Sequence, residues 1–164
     1  RRQRQMCIRD RINMGTRAVV AKVNNNATMT GTYVGYDGDP VYTLAEIIAI
    51  INRDGIEEAL DTIITAHTGW RNISSTASDF VHEGYGEFYD DMVYPVTQPM
   101  DTEGKSDLFD MAEAQWAYVF NTETRLVDVW ERIANWVFRE TIQIDDFAGE
   151  EYNEIRKAFL TLKS

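Results

Sequence analysis

Asp37-Gly38-Asp39 places two carboxylates on one turn, next to Tyr36 and ahead of Pro40. Such a pair can contact a polar ligand or coordinate Mg2+ or Ca2+ through its oxygens. The calcium-loop pattern is broken, because counting from Asp37 the twelfth position is Ile48, where a bidentate glutamate is required. The aspartates are therefore read as contact residues, and no metal site is assigned. A hydrolase would be expected to place an imidazole beside an oriented nucleophile. His67 and His82 are the two histidines. His67 continues an apolar helical stripe from Ile56, which suits packing or a helix end, and His82 beside Glu83 matches a surface ion pair. Thr16 invites an N-terminal nucleophile, but removal of Met14 would expose Gly15 first. No catalytic residue is assigned.

Residues suited to contact rather than reaction are more plentiful. Trp70-Arg71 falls in a polar stretch, where an anchor for the core is not required by pattern, and Tyr85, Phe88 and Tyr89 beside Asp90-Asp91 make an acidic, aromatic surface. Together with Tyr36, Asp37 and Asp39, the residues Trp70, Arg71, Tyr85, Tyr89, Asp90 and Asp91 form the expected ligand- or partner-binding set. Glu83-Gly84-Tyr85-Gly86-Glu87 has paired glycines but no Walker lysine, and its glutamates would repel phosphate, so it reads as a turn or bulge. No cofactor is expected.

The charge narrows the partner. The 164 residues hold 16 basic and 27 acidic side chains, a net charge of −11. Five arginines and one aspartate fall in residues 1–13, so residues 14–164 keep 11 and 26, a net of −15. The first thirteen residues read as a non-native or disordered leader, resembling translated adapter sequence of an environmental assembly. Met14 then opens a single α+β domain over 14–164. The competing reading is a basic arm that binds nucleic acid or a partner. So acidic a body disfavours direct DNA or RNA binding, which rests on Lys and Arg neutralising phosphates, and an anionic leaflet would repel it. Cys7 is the only cysteine, leaving the body without disulfides or a thiolate nucleophile, which fits a cytoplasmic setting. Asn72-Ile73-Ser74 matches a glycosylation acceptor, but nothing else suggests secretion. The oligomeric state is left open.

The elements that must position these residues follow from periodicity. Residues 17–23 and 28–36 read as a hairpin about Asn24-Asn25-Asn26. Thr43-Leu44-Ala45-Glu46 is a capping box, Ile47, Ile48, Ile50 and Ile51 give the helix an apolar face, and Gly55 ends it. A second box at Asp54–Glu57 starts a helix carried by Ile56, Leu60, Ile63 and Ile64. Residues 68–79 and 95–107 read as loops, with a strand over 87–94 between them. Residues 115–120 and 125–130 form the clearest hairpin, with Trp116, Tyr118 and Phe120 on one face. Residues 131–146 remain open between helix and strand, and Tyr152, Ile155, Phe159 and Leu162 make a final helix. Strands in sequence-local pairs imply an α+β fold: a mainly antiparallel sheet built from hairpins, with helices packed on one face.

Met14-Gly15-Thr16-Arg17 and Tyr33-Val34-Gly35-Tyr36-Asp37-Gly38-Asp39-Pro40 resemble a family of small uncharacterised phage and prophage proteins that start M-[GS]-T-R and carry a Y-x-H-[WF]-D-[GS]-Y-P turn. Gln115 to Phe120 resembles that family's late strand. Gly35 stands where the family has His and Asp39 where it has Tyr, so any chemistry of that histidine is lost. The resemblance implies a phage or mobile-element origin rather than an activity. The expectation is a non-enzymatic accessory protein that binds a host protein or small ligand, for example an acidic counter-defence decoy. The alternatives are a small hydrolase or nucleotide-processing enzyme using Asp37, Asp39 or His82, and a sponge for a signalling nucleotide using Arg17, Arg71 or Arg125.

Overall fold

The computed structural model describes residues 16–65, 69–77, 82–89 and 95–160. The expected leader and His67, Asp90, Asp91 and Leu162 lie outside the described residues. The fold is α+β, built on one mixed, mostly antiparallel eight-stranded sheet.

β1 (Ala18–Val23) and β2 (Thr28–Val34) form the expected antiparallel hairpin. Its turn is fixed by Asn24, whose Nδ2 donates to Thr28 Oγ1 at 3.0 Å and to Thr30 Oγ1 at 2.9 Å. The chain then enters a π-helical turn at Pro40–Leu44, earlier than the Thr43 capping box predicts. Pro40 has its φ preset for a helix start and no N–H to satisfy. Thr43 is buried, and its hydroxyl donates to the Asp37 carbonyl at 2.7 Å, so it ties down the preceding turn instead of capping. The turn runs on into α1 (Ala45–Asp54), which ends as expected at Gly55, with φ +94°. α2 (Ile56–Leu60) follows and is extended by a π-helical turn, Asp61–Thr65. Gly55 rather than Asp54 precedes α2, so the second capping box is not formed.

The stretches expected to be loops carry two further strands. β3 (Trp70–Ile73) runs parallel to β2 at Val34 and antiparallel to β4 (Gly86–Phe88). β5 (Val96–Pro99) lies antiparallel to the first half of β2. β2 therefore shares one edge between β5 and β3. A 3-10 helix at Asp107–Glu113, capped by Ser106, leads to β6 (Trp116–Asn121), β7 (Leu126–Arg132) and β8 (Trp136–Gln143), an antiparallel meander. Within residues 131–146, the first two end β7, 136–143 form β8 and 144–146 begin a second 3-10 helix, Ile144–Phe147. β6 joins the meander to the hairpin by pairing parallel with β1, which puts β1 at the centre of the sheet. α3 (Tyr152–Ala158) opens with a capping box between Glu151 and Glu154.

Alternation along the strands makes two cores. Ala18, Val20, Trp116, Tyr118, Phe120, Val127 and Val129 pack beneath α1, α2 and α3, together with Ile47, Ile50, Ile63, Ile155 and Phe159. Val19, Ala21, Met29, Ala117, Val119 and Trp130 point the other way and are covered by Leu108 and Phe109 of the 3-10 helix. The three α-helices sit on one face, as expected, but the second face is closed by the segment read as a loop. Among the described residues no helix is long and apolar enough to cross a membrane.

Candidate functional site

The turn after β2 is primarily a structural joint. Asp37 has φ +55°, a left-handed conformation that Asp tolerates better than most residues. Gly38 donates its N–H to the Thr16 carbonyl at 3.1 Å and accepts a short hydrogen bond from the buried Tyr118 hydroxyl. A Cβ on Gly38 would lie 2.9 Å from the Arg17 carbonyl carbon and 3.0 Å from Ala18 Cβ, so only glycine fits. Burial, followed by the nearby charges of Asp39 and Glu131, pushes the Tyr118 phenol well above its ordinary value, so it stays a neutral donor.

Three of the expected contact residues meet beside this joint. Tyr36 N–H donates to the Arg71 carbonyl at 2.8 Å, and the Arg71 guanidinium sits 4.6 Å from the centre of the Tyr89 ring. Tyr33 stacks on Tyr89 with centroids 6.0 Å apart. Burial, and then the neighbouring Tyr33 and Tyr36, raise the Tyr89 phenol above its usual value. Arg71 also lies 3.6 Å from Glu87. Of these residues, Arg71 is exposed, Tyr36 and Tyr89 are half-buried and Tyr33 is buried beneath them.

Two expected contact residues belong to the interior. Trp70 is fully buried in β3, and its Nε1 donates to the Ile63 carbonyl at 2.8 Å. This corrects its reading as a loop anchor: Trp70 and Ile73 face the core, while Arg71 and Asn72 face outward. Tyr85 is also buried, and its hydroxyl donates to Asp54 at 2.7 Å. Asp54 is gripped in turn by Arg53, with Nε and Nη2 both 2.9 Å from its carboxylate. The Arg53 hydrogen bond, ahead of that from Tyr85, holds the Asp54 carboxyl below its ordinary value. His82 packs edge-on against Trp70 and Tyr85 in the turn between β3 and β4, whereas Asp37 and Asp39 occupy the turn between β2 and α1.

A concave surface lies elsewhere, on the face covered by the 3-10 helix. Two depressions of roughly 590 and 640 Å3 meet at Lys105 and Trp136. Their apolar lining is Met100, Trp130, Trp136 and Phe138, and their acidic lining is Asp101, Glu103, Asp107, Asp110 and Asp128. Trp130 and Phe138 meet edge to face at 5.3 Å, and Trp136 packs on Phe109 at 5.2 Å. Asp110 accepts from Trp136 Nε1 at 2.9 Å, fixing the ring against the rim.

The rim is built by local turn chemistry. Asp101 Oδ1 accepts the N–H groups of Glu103 and Lys105, each at 2.9 Å, and Gly104 supplies the positive φ of +94° that closes the loop. Those amides, Lys105 first, keep the Asp101 carboxyl below its usual range and hence ionised. Lys105 Nζ lies 3.1 Å from Glu103, so one of the five carboxylates is offset and four remain. Among the described residues no group of three or more His, Cys, Asp or Glu side chains is arranged to hold a metal ion.

No protein-family model, curated protein or solved structure matches this chain. The functional reading therefore rests on the groove's chemistry. Aromatic faces carry negative quadrupole density, and with carboxylates beside them they favour an organic cation. The residues that build this groove escape motif reasoning, since Asp107 and Asp110 come from the 3-10 helix and Trp136 and Phe138 from a distant strand. Their one sequence signal is the run of aromatics at 130, 136 and 138.

Proposed function

We propose that this chain is a non-enzymatic recognition protein of phage or mobile-element origin, acting in the host cytoplasm, that binds a basic partner protein through its acid-rimmed aromatic groove. The observation that supports this is the pairing of Trp130, Trp136 and Phe138 with five carboxylates and a single lysine in the two joined depressions. Aromatic rings supply contact area at low entropic cost, and the carboxylates add steering and selectivity for positive charge. An overall net charge of −11 acts in the same direction at long range. The location of His82 on a different turn from Asp37 and Asp39 favours recognition over hydrolysis.

Short lysine and arginine oligomers are suitable probes for calorimetric titration. Affinity is expected to fall between about 50 and 300 mM salt, and to fall roughly twofold to tenfold in the D107N/D110N variant, as for exposed charge pairs. The Asp110→Asn change keeps a side-chain carbonyl to accept from Trp136, so folding is preserved. Affinity indifferent to both salt and the double substitution overturns the reading.

A further inference from the structure

β8 ends the sheet, and among the described residues it pairs with β7 alone. Its outward backbone groups can be assigned. Ile144 N–H donates to the Arg125 carbonyl at 3.1 Å, and Ile133 N–H donates to the Asn135 carbonyl at 3.0 Å across the β7–β8 turn. Arg132 N–H donates the other way, to the Gln115 carbonyl at 2.9 Å. In an antiparallel ladder, residues alternate between facing the partner and facing away. With the register break beside Trp130, this turns the backbone N–H and C=O groups of Trp136, Phe138, Thr141 and Gln143 outward. Three of these four residues, Trp136, Phe138 and Thr141, also line the groove. The unpaired edge and the groove wall are thus made by the same residues.

We infer that the groove and this edge together accept an extended, lysine- or arginine-bearing peptide segment, which adds to the sheet as a ninth strand beside β8. The inference rests on the basic-partner reading and states the form the partner takes. Backbone pairing with Phe138, Thr141 and Gln143 holds the segment, and alternate side chains fall on the groove face, where Asp128 and Glu103 meet Trp136 and Phe138. Trp130 carries an independent mark of an incomplete site. It is 6% exposed, and its buried Nε1 has no hydrogen-bond acceptor among the described residues, an unsatisfied donor behind the groove wall. Phe138 and Val137 are 47% and 43% exposed, more apolar area than an edge strand usually shows to water. A second copy of this chain is disfavoured as occupant, because both copies are acidic and the bulge at the Trp130 register break cuts the edge into short regular stretches.

The test uses a roughly ten-residue peptide of alternating lysine and threonine, and two forms of it N-methylated at alternate amides, one on each edge. The peptide is expected to bind, to slow hydrogen exchange at the Phe138, Thr141 and Gln143 amides, and to lose about tenfold or more in affinity when methylated on one edge but little on the other. Equal binding of both methylated forms, with no protection in β8, overturns strand addition while leaving a cation-binding groove. No binding of the unmodified peptide overturns both. The Gln143→Pro protein adds an independent arm, since Gln143 lies on the edge but outside the groove lining, and the loss of its outward N–H should lower peptide affinity about tenfold or more. Full peptide affinity in that protein overturns strand addition.

Discussion

Asp54 shows how a surface charge becomes part of the structure. Its carboxylate accepts from Arg53 and from the Tyr85 hydroxyl, and Arg53 reaches on to the carbonyls of Ser75 and Gly84 at 2.9 and 2.8 Å. The end of α1 is thereby tied to both sides of the β3–β4 turn. Because the folded carboxyl titrates below its ordinary value of 3.8, its contribution is present above that pH and is lost as pH falls through the folded value. Denaturant titrations should show the Asp54→Asn protein less stable at pH 7, with a shallower loss of stability below about pH 4 than the parent. An unchanged acid slope would place the ionised form outside the network. Arg53 is well exposed, so solvent screening keeps the effect modest. At this scale the sequence is only partly legible. It marks Tyr36, Arg71 and Tyr89 as contact residues, and they do come together. It misplaces Trp70 and Tyr85, because an indole N–H or a phenol can be buried once a carbonyl or carboxylate receives it, and neither Ile63 nor Asp54 is marked in the sequence as that acceptor.

The Asp37–Pro40 turn behaves as one element. Its residue types suggest a contact loop, yet its glycine is required by the crowding of Arg17 and Ala18, its proline opens a helix, and its carbonyls receive Thr43 and Tyr118. Substituting Gly38→Ala should cost about 1–3 kcal/mol, as for overpacking in a tight interior, measured as a shift in the urea midpoint at constant slope. A neutral result would mean that the turn can lift away from β1. Hairpin elements are legible where large residues recur at every second position: in β6, Trp116, Tyr118 and Phe120 alternate with the smaller Ala117 and Val119, and in β7 Val127 and Val129 flank Asp128. β8 is not, because an edge strand with both faces partly wet has no sharp alternation, and the bulge breaks what period there is. β5 and the 3-10 helix are hidden for a different reason. Val96, Leu108 and Phe109 are apolar positions scattered among Pro, Gly, Ser and Asp, and only the far face of the sheet gives them a partner.

For the molecule as a whole, charge and topology set the behaviour. The acidic excess read from composition makes the compact state self-repelling at low ionic strength. Raising salt from about 20 to 300 mM at pH 7 should raise Tm by about 2–4 °C, equivalent to ~1 kcal/mol for a domain of this size, in calorimetry. A fall in Tm would show that the ion pairs, such as Arg125 with Asp145 at 2.7 Å, outweigh the repulsion. The antiparallel character of the sheet is legible from its local hairpins. The parallel contact between β1 and β6 is not, because pairing across so long a separation leaves no local trace.

That parallel contact also has a cost during synthesis. β1, with its run Ala18-Val19-Val20-Ala21, leaves the ribosome about ninety residues before β6 exists to cover its second edge. At roughly 5–20 residues per second, the exposed valine-rich edge waits for about 5–20 s. Nascent chains are therefore open to mispairing over that interval, and their yield in cells should respond to holdase chaperones more strongly than the finished protein's thermodynamic stability suggests.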